Sequence, residues 1–410
     1  MKAVVFTLGC KVNECESDSL ITGLKERGYE VSDKLVFADL YIVNTCAVTA
    51  EAEKKSRQTV ARIRKLNDKA KIIFTGCAVQ KNPESFLQKD PSFLITGTFS
   101  KQKILDMLDK SGNEISPETR EYEELLPVNS LRTRAYIKVQ DGCNNFCSYC
   151  IIPYLRGRSR SRNPQSVLSE ISKINPKEAV INGINLSAYD YNGIKLPGLI
   201  ERLKNLPSRL RLGSLEVGVV TREFLEILKS VNNFAPHFHL SLQSGSNAVL
   251  KKMNRKYTRE EYIEQVDLIR EYFPDAGITT DIIVGFPTES DQDFLDTVDL
   301  VKRVNFSDIH PFPFSPRSGT KAYEMKDLSP EIKKQRLAVL LDLKQQHKKS
   351  FAEKFIGKTL SVIFEEQKDG YFEGYAENYL RVYLEKEPNE KVIKVRAVKP
   401  FKEGVLAEIL

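Results

Sequence analysis

Histidine and cysteine are scarce here, four and seven respectively in 410 residues, and long apolar runs are missing altogether. No stretch approaches the roughly 20 residues needed to span a bilayer, and the N-terminal MKAVVFTLGC reads as a strand, not as a signal peptide. Both absences point to a soluble, cytoplasmic chain with no membrane partner. In that setting seven cysteines are ligands or catalysts before they are disulfides. A chain of this length buries most of its unfolded surface and needs no staples. Four histidines leave little from which to build tetrahedral zinc sites, each of which takes four nitrogen or sulfur ligands. With 41% hydrophobic and 29% charged residues the composition is globular, and the length predicts two to four domains.

Net charge is only +7, so its distribution matters more than its sum. Between Arg132 and Arg162 seven basic residues face Asp141 alone, and Glu51–Lys71 holds eight basic residues against three acids. Stripes of this kind suit a polyanion, whose counterions they release. A solvated helix face explains Glu51–Lys71 equally well. Arg156, Arg158, Arg160 and Arg162 recur at every second residue. An extended chain would set all four on one side, which makes them candidate RNA contacts.

Three apolar runs near the N-terminus, residues 2–10, 39–46 and 71–77, each end in cysteine. Helix-like stretches follow the first two, a strand–helix–strand repetition that predicts a parallel sheet with right-handed crossovers. Strand ends in such a sheet share one edge, where ligands bind, so Cys10, Cys46 and Cys77 should converge. A single thiol at a strand end is ordinarily a small buried hydrophobe; three in the same position are better explained as ligands. Residues 1–106 are therefore expected to form an α/β unit, and the polar, punctuated residues 107–131 a linker. Six further strand-like runs, beginning at 135, 179, 210, 237, 279 and 306 and mostly separated by amphipathic helices, predict a partial (β/α)6 barrel over 132–328 with its site at the strand carboxyl ends. Ser329-Pro330 starts a helix through 355. The alternating segments of 356–410 predict a small antiparallel β-barrel. It carries nine basic residues against ten acids, so any RNA contact there rests on aromatics such as Tyr375 and Tyr379.

Cys143, Cys147 and Cys150, spaced CxxxCxxC, follow the strand AYIKVQ directly. Three thiolates can hold three irons of a 4Fe–4S cluster and leave the fourth open to another ligand. Zinc is the competing reading, with His237 and His239 pointing the same way from one strand to complete a site.

The spacing CxxxCxxC, with Tyr149 before the last cysteine, resembles the radical S-adenosylmethionine (SAM) enzymes. With both cysteine triplets in view the resemblance narrows to the methylthiotransferases. Residues 7–18, 43–58, 74–80, 136–162, 239–258, 281–289 and 310–322 carry it, spanning nearly the whole chain. It implies an N-terminal cluster domain, a radical SAM partial barrel and a C-terminal barrel like the TRAM module. It further implies two 4Fe–4S clusters, an auxiliary one on Cys10, Cys46 and Cys77 and a SAM-binding one on Cys143, Cys147 and Cys150. Two SAM molecules serve each cycle: one methylates a cluster-bound sulfide, the other generates the radical that activates a substrate C–H bond. Asn182, Gly183, Glu216, Ser241 and Gln243, near strand ends, are the candidate SAM contacts. Cys15 matches no ligand position and reads as a packed thiol.

Members of this family act on tRNA adenosine 37 bearing threonylcarbamoyl or isopentenyl, or on a ribosomal-protein aspartate. Lys11-Val12-Asn13 and KSRQ at 55–58 look most like the threonylcarbamoyl branch, with the tRNA anticodon stem-loop as partner. An external electron donor and sulfur source are then required, and a monomer is expected. A non-enzymatic cluster or zinc RNA-binding protein, and a radical SAM enzyme inserting bare sulfur, remain as alternatives.

Overall fold

The computed structural model describes residues 1–127 and 133–410; residues 128–132, and with them Arg132 and the end of the expected linker, lie outside the described residues. The N-terminal sheet runs in the order 30–32, 2–7, 40–45, 71–76, 94–95, 112–113, with every pairing parallel. Val4, Val5, Ile42, Val43, Ile73 and Phe74 are fully buried between the layers. The sheet thus extends past residue 106 to Gly112–Asn113, inside the segment expected to be linker. Beyond it, Tyr122 donates its hydroxyl to the Lys138 carbonyl at 2.7 Å, and Glu124 meets Arg162 at 2.7 Å. That segment is packed onto the barrel.

Six parallel strands form the open barrel, at 134–141, 178–183, 209–215, 237–240, 277–284 and 308–313. The third is interrupted at Gly213, where it passes from one four-stranded sheet to the next. Alternation explains the lumen. Phe238 and Leu240 are buried in the apolar core, whereas His237 and His239 face inward. Helices are started by side chains that satisfy their first amides, as in the capping boxes Thr258/Glu261 and Ser290/Asp293.

Ser329 caps the helix Pro330–Glu353, which lies along the last barrel strand and leads into a closed five-stranded barrel. One pairing there, Arg381–Leu384 with Gly404–Ile409, is parallel, a correction to the wholly antiparallel expectation. This small barrel docks against the amino-terminal ends of the large barrel's strands. Buried Glu178 gathers Arg134, Arg209 and Arg211 at 2.8–3.3 Å, and Arg211 reaches the Ala376 carbonyl at 3.3 Å. Among the described residues no helix is long and apolar enough to cross a membrane.

Candidate active site

One cavity of about 870 Å³ is lined by all six expected ligands: Cys10, Cys46, Cys77, Cys143, Cys147 and Cys150. The first three sit just past three adjacent parallel strands. Gly9 has φ +122°, and a Cβ there would lie 2.9 Å from the Cβ of Cys46, so only glycine lets the Cys10 loop approach so closely. Burial pushes the Cys46 and Cys150 thiols up to about 12; binding iron must therefore expel their protons. Cys15 lies elsewhere, buried with its thiol on the Tyr136 carbonyl at 3.3 Å.

The second loop follows the strand Arg134–Asp141 and is clamped by residues 253–255. Ser148 N–H donates to the Met253 carbonyl at 3.0 Å, Asn254 Nδ2 to the carbonyls of Asn145 and Phe146 at 3.1 Å, and Arg255 to Cys147 Sγ at 3.4 Å. Asn182, Gly183, Glu216, Ser241 and Gln243 all line the same cavity. Glu216 is held by Asn145 at 2.7 Å, Asn185 at 3.1 Å and Arg255 at 3.1 Å. Asn185 Nδ2 also points at Cys143 Sγ, 3.8 Å away. Asn145, Asn185 and Arg255 escaped the sequence reading. Arg255 stands inside residues 239–258 and Asn145 inside the CxxxCxxC loop, but neither spacing nor periodicity singles them out.

The arginine stripe requires correction. Only Arg160–Ser161 is strand, while Arg156 closes a short helix. Arg156, Arg160 and Arg162 are buried and ion-paired, to Glu16 and Asp141, to Asp141, and to Glu124 and Glu170. Arg158 alone is exposed, over the Phe146 ring. Tyr375 and Tyr379 are half-buried and turned to the cavity. They stack on each other, Tyr379 stacks on His237, and all three line the cavity's far end. His237 and His239 both bond the Thr279 hydroxyl, at 3.0 and 2.9 Å.

Residues 137–301 match the radical SAM superfamily, and residues 2–97 match an uncharacterized protein family, UPF0004. The chain is 36% identical to the threonylcarbamoyladenosine tRNA methylthiotransferase MtaB of Bacillus subtilis, over all of this chain and 97% of that one. To its namesake in Thermotoga maritima it is 40% identical, over 93% and 91%. The chain is a radical SAM methylthiotransferase. A tRNA-2-methylthio-N(6)-dimethylallyladenosine synthase of Fervidobacterium nodosum is also similar, 36% identical over 91% of this chain and 90% of that one. Among solved structures, the radical SAM methyltransferase TsrM of Kitasatospora setae shares the fold. Its TM-score is 0.57 at 17% identity, covering 78% of this chain and 77% of that one.

Radical SAM methylthiotransferases work with SAM and a 4Fe–4S cluster, and the cavity suits both. Each half offers three thiols at its rim. Among the described residues no three His, Cys, Asp or Glu side chains close around a single ion; a cluster, by contrast, gives each thiolate its own iron. Asn182 Nδ2 and Asn185 Oδ1 are buried against the cavity without a partner. Orphaned polar atoms there are what a polar ligand would satisfy.

Proposed function

We propose that this methylthiotransferase adds a methylthio group to C2 of N6-threonylcarbamoyladenosine at position 37, beside the anticodon of tRNA. The observation that carries the reading is that both cysteine triplets face a single cavity, so two clusters and one nucleoside can meet there. Cys143, Cys147 and Cys150 would hold the SAM-binding cluster, and Cys10, Cys46 and Cys77 an auxiliary one. When bound, these groups and SAM supply the sulfur, the methyl group and a radical able to take hydrogen from an unactivated carbon.

The chain positions and shields them. Glu216, fixed by Asn145, Asn185 and Arg255, would offer a carboxylate to hydrogen-bond donors of SAM, and Asn182 and Asn185 would supply further polar atoms. Tyr375 and Tyr379 line the lumen at its far end, where their stacked rings would limit the approach of water to the reacting groups. Lys11, beside Cys10, presents an ammonium to the cavity. Threonylcarbamoyl carries a carboxylate to meet it; isopentenyl carries no charge. The exposed Lys54, Lys55, Arg62 and Lys65 of the helix Ala50–Leu66 offer a basic face for the RNA backbone, and Arg158 adds an exposed cation over Phe146 in the CxxxCxxC loop.

Mass spectrometry of tRNA nucleosides from a strain lacking the gene tests this. The 2-methylthio-N6-threonylcarbamoyl nucleoside should vanish while its unthiolated precursor accumulates. Loss of the isopentenyl counterpart instead would move the substrate to the other tRNA branch. No change in either would end the tRNA reading.

A further inference from the structure

Arg156 has no accessible surface and sits six residues beyond Cys150, yet three of its four side-chain partners, Cys77, Glu16 and Asn13, lie in the other half of the site. Its Nε–H donates to Cys77 Sγ at 3.3 Å, and its terminal nitrogens reach Glu16 at 2.7 Å, Asn13 at 2.8 Å and Asp141 at 3.2 Å. Behind it the network continues. Lys138 meets Glu16 at 3.0 Å and Asp141 at 2.7 Å, Lys101 meets Glu16 at 3.4 Å, and Arg160 meets Asp141 at 3.0 Å. All six charged groups are buried. Four are cations and two are anions, so positive charge is in excess beside Cys77.

Unmatched charge out of water is costly. On the cavity side, the anion that Arg156 can meet among the described residues is the thiolate set, once iron has displaced its protons. An iron–sulfur cluster held by three thiolates is anionic and takes on a further negative charge when reduced, and its potential follows local charge and hydrogen bonds to sulfur. The SAM-binding half is arranged differently. There Arg255, which donates to Cys147, meets a single carboxylate, Glu216 at 3.1 Å, a one-to-one pair where the network around Arg156 has four cations to two anions.

We propose that Arg156, with the cation excess behind it, is an electrostatic seat for the auxiliary cluster, raising that cluster's reduction potential through Cys77. This rests on the reading above that Cys10, Cys46 and Cys77 hold a cluster. Arg156 is a positioning residue and touches no substrate.

The test uses the full-length chain with Cys143, Cys147 and Cys150 replaced by alanine, reconstituted anaerobically with iron and sulfide. An EPR-monitored redox titration then reads the auxiliary cluster alone. Arg156→Met should lower the potential, shifting the reduced-to-oxidised ratio at least about tenfold, equivalent to about 59 mV for one electron. Arg156→Lys keeps the charge and should retain most of the parent potential. Lys101→Met touches no cysteine and should shift it the same way as Arg156→Met but less; it carries the comparison if Arg156→Met does not assemble. An unmoved potential in the methionine variants, or Arg156→Lys falling as far as Arg156→Met, overturns the proposal. Failure of the parent to assemble any cluster overturns the reading beneath it instead.

Discussion

Replacing Glu16 by glutamine preserves side-chain volume and removes one buried negative charge. Glu16 is fully buried and lies 2.7 Å from Arg156, 3.0 Å from Lys138 and 3.4 Å from Lys101. Taking one partner from a buried ion pair costs about 3–5 kcal/mol, because the remaining charge is left uncompensated. Here three cations lose their shared partner, while the amide oxygen still accepts from Arg156 and recovers about 1 kcal/mol. A net loss of about 2–4 kcal/mol follows, or about 2–5 °C in the unfolding midpoint of a chain this long. Burial opposes ionisation of Glu16, but Arg156, Lys101 and Lys138 together overcome it and hold the carboxyl well below its usual range. Its contribution is therefore complete above the ordinary carboxylate range and is lost only as pH falls through the depressed folded value. Thermal melts of the metal-free chain, followed by circular dichroism, should show a constant gap between wild type and Glu16→Gln from pH 8 to about 5, narrowing below about pH 4. A gap under about 1 kcal/mol at pH 7 would refute the reasoning, since it would mean the three cations are solvated rather than paired. So would a gap already closing between pH 7 and 5.

Two further outcomes are expected. Cys143→Ala should abolish reductive cleavage of SAM, whereas Cys46→Ala should leave that cleavage measurable and remove only methylthio transfer to tRNA; chromatography of the SAM products beside nucleoside mass spectrometry separates the two, and loss of both activities in Cys46→Ala would count against separate cluster roles. Gly142 has φ +72°, and a Cβ there would lie 2.0 Å from the Arg158 carbonyl oxygen. Gly142→Ala should cost about 2 kcal/mol or more and lower the iron bound per chain on reconstitution, because that backbone contact sets the start of the CxxxCxxC loop. An unchanged melt and unchanged iron content would contradict it.

Much of the site is legible in the sequence. A parallel strand–helix repeat must bring its strand ends to one edge, so convergence of Cys10, Cys46 and Cys77 follows from local pattern alone. The CxxxCxxC loop carries its chemistry within eight residues. The six barrel strands and the C-terminal barrel were equally readable, because each announces itself by period and turn residues. What local pattern could not supply was the partner of each charge. Arg156, Arg158, Arg160 and Arg162 look alike in sequence, yet three are buried and one is exposed. Their counterions, Glu16, Asp141, Glu124 and Glu170, come from two helices, a strand and a connecting segment, and only packing brings them together. The same holds for Asn185 and Arg255, which reach Cys143 and Cys147 across the barrel mouth. Short-range order is written in the spacing of apolar and turn residues, and so the sequence by itself determined the elements, their order and the edge that carries the thiols. Electrostatic pairing at low dielectric depends on distances across the fold, and so only the tertiary structure decided which charges face solvent and which lie beneath the thiols.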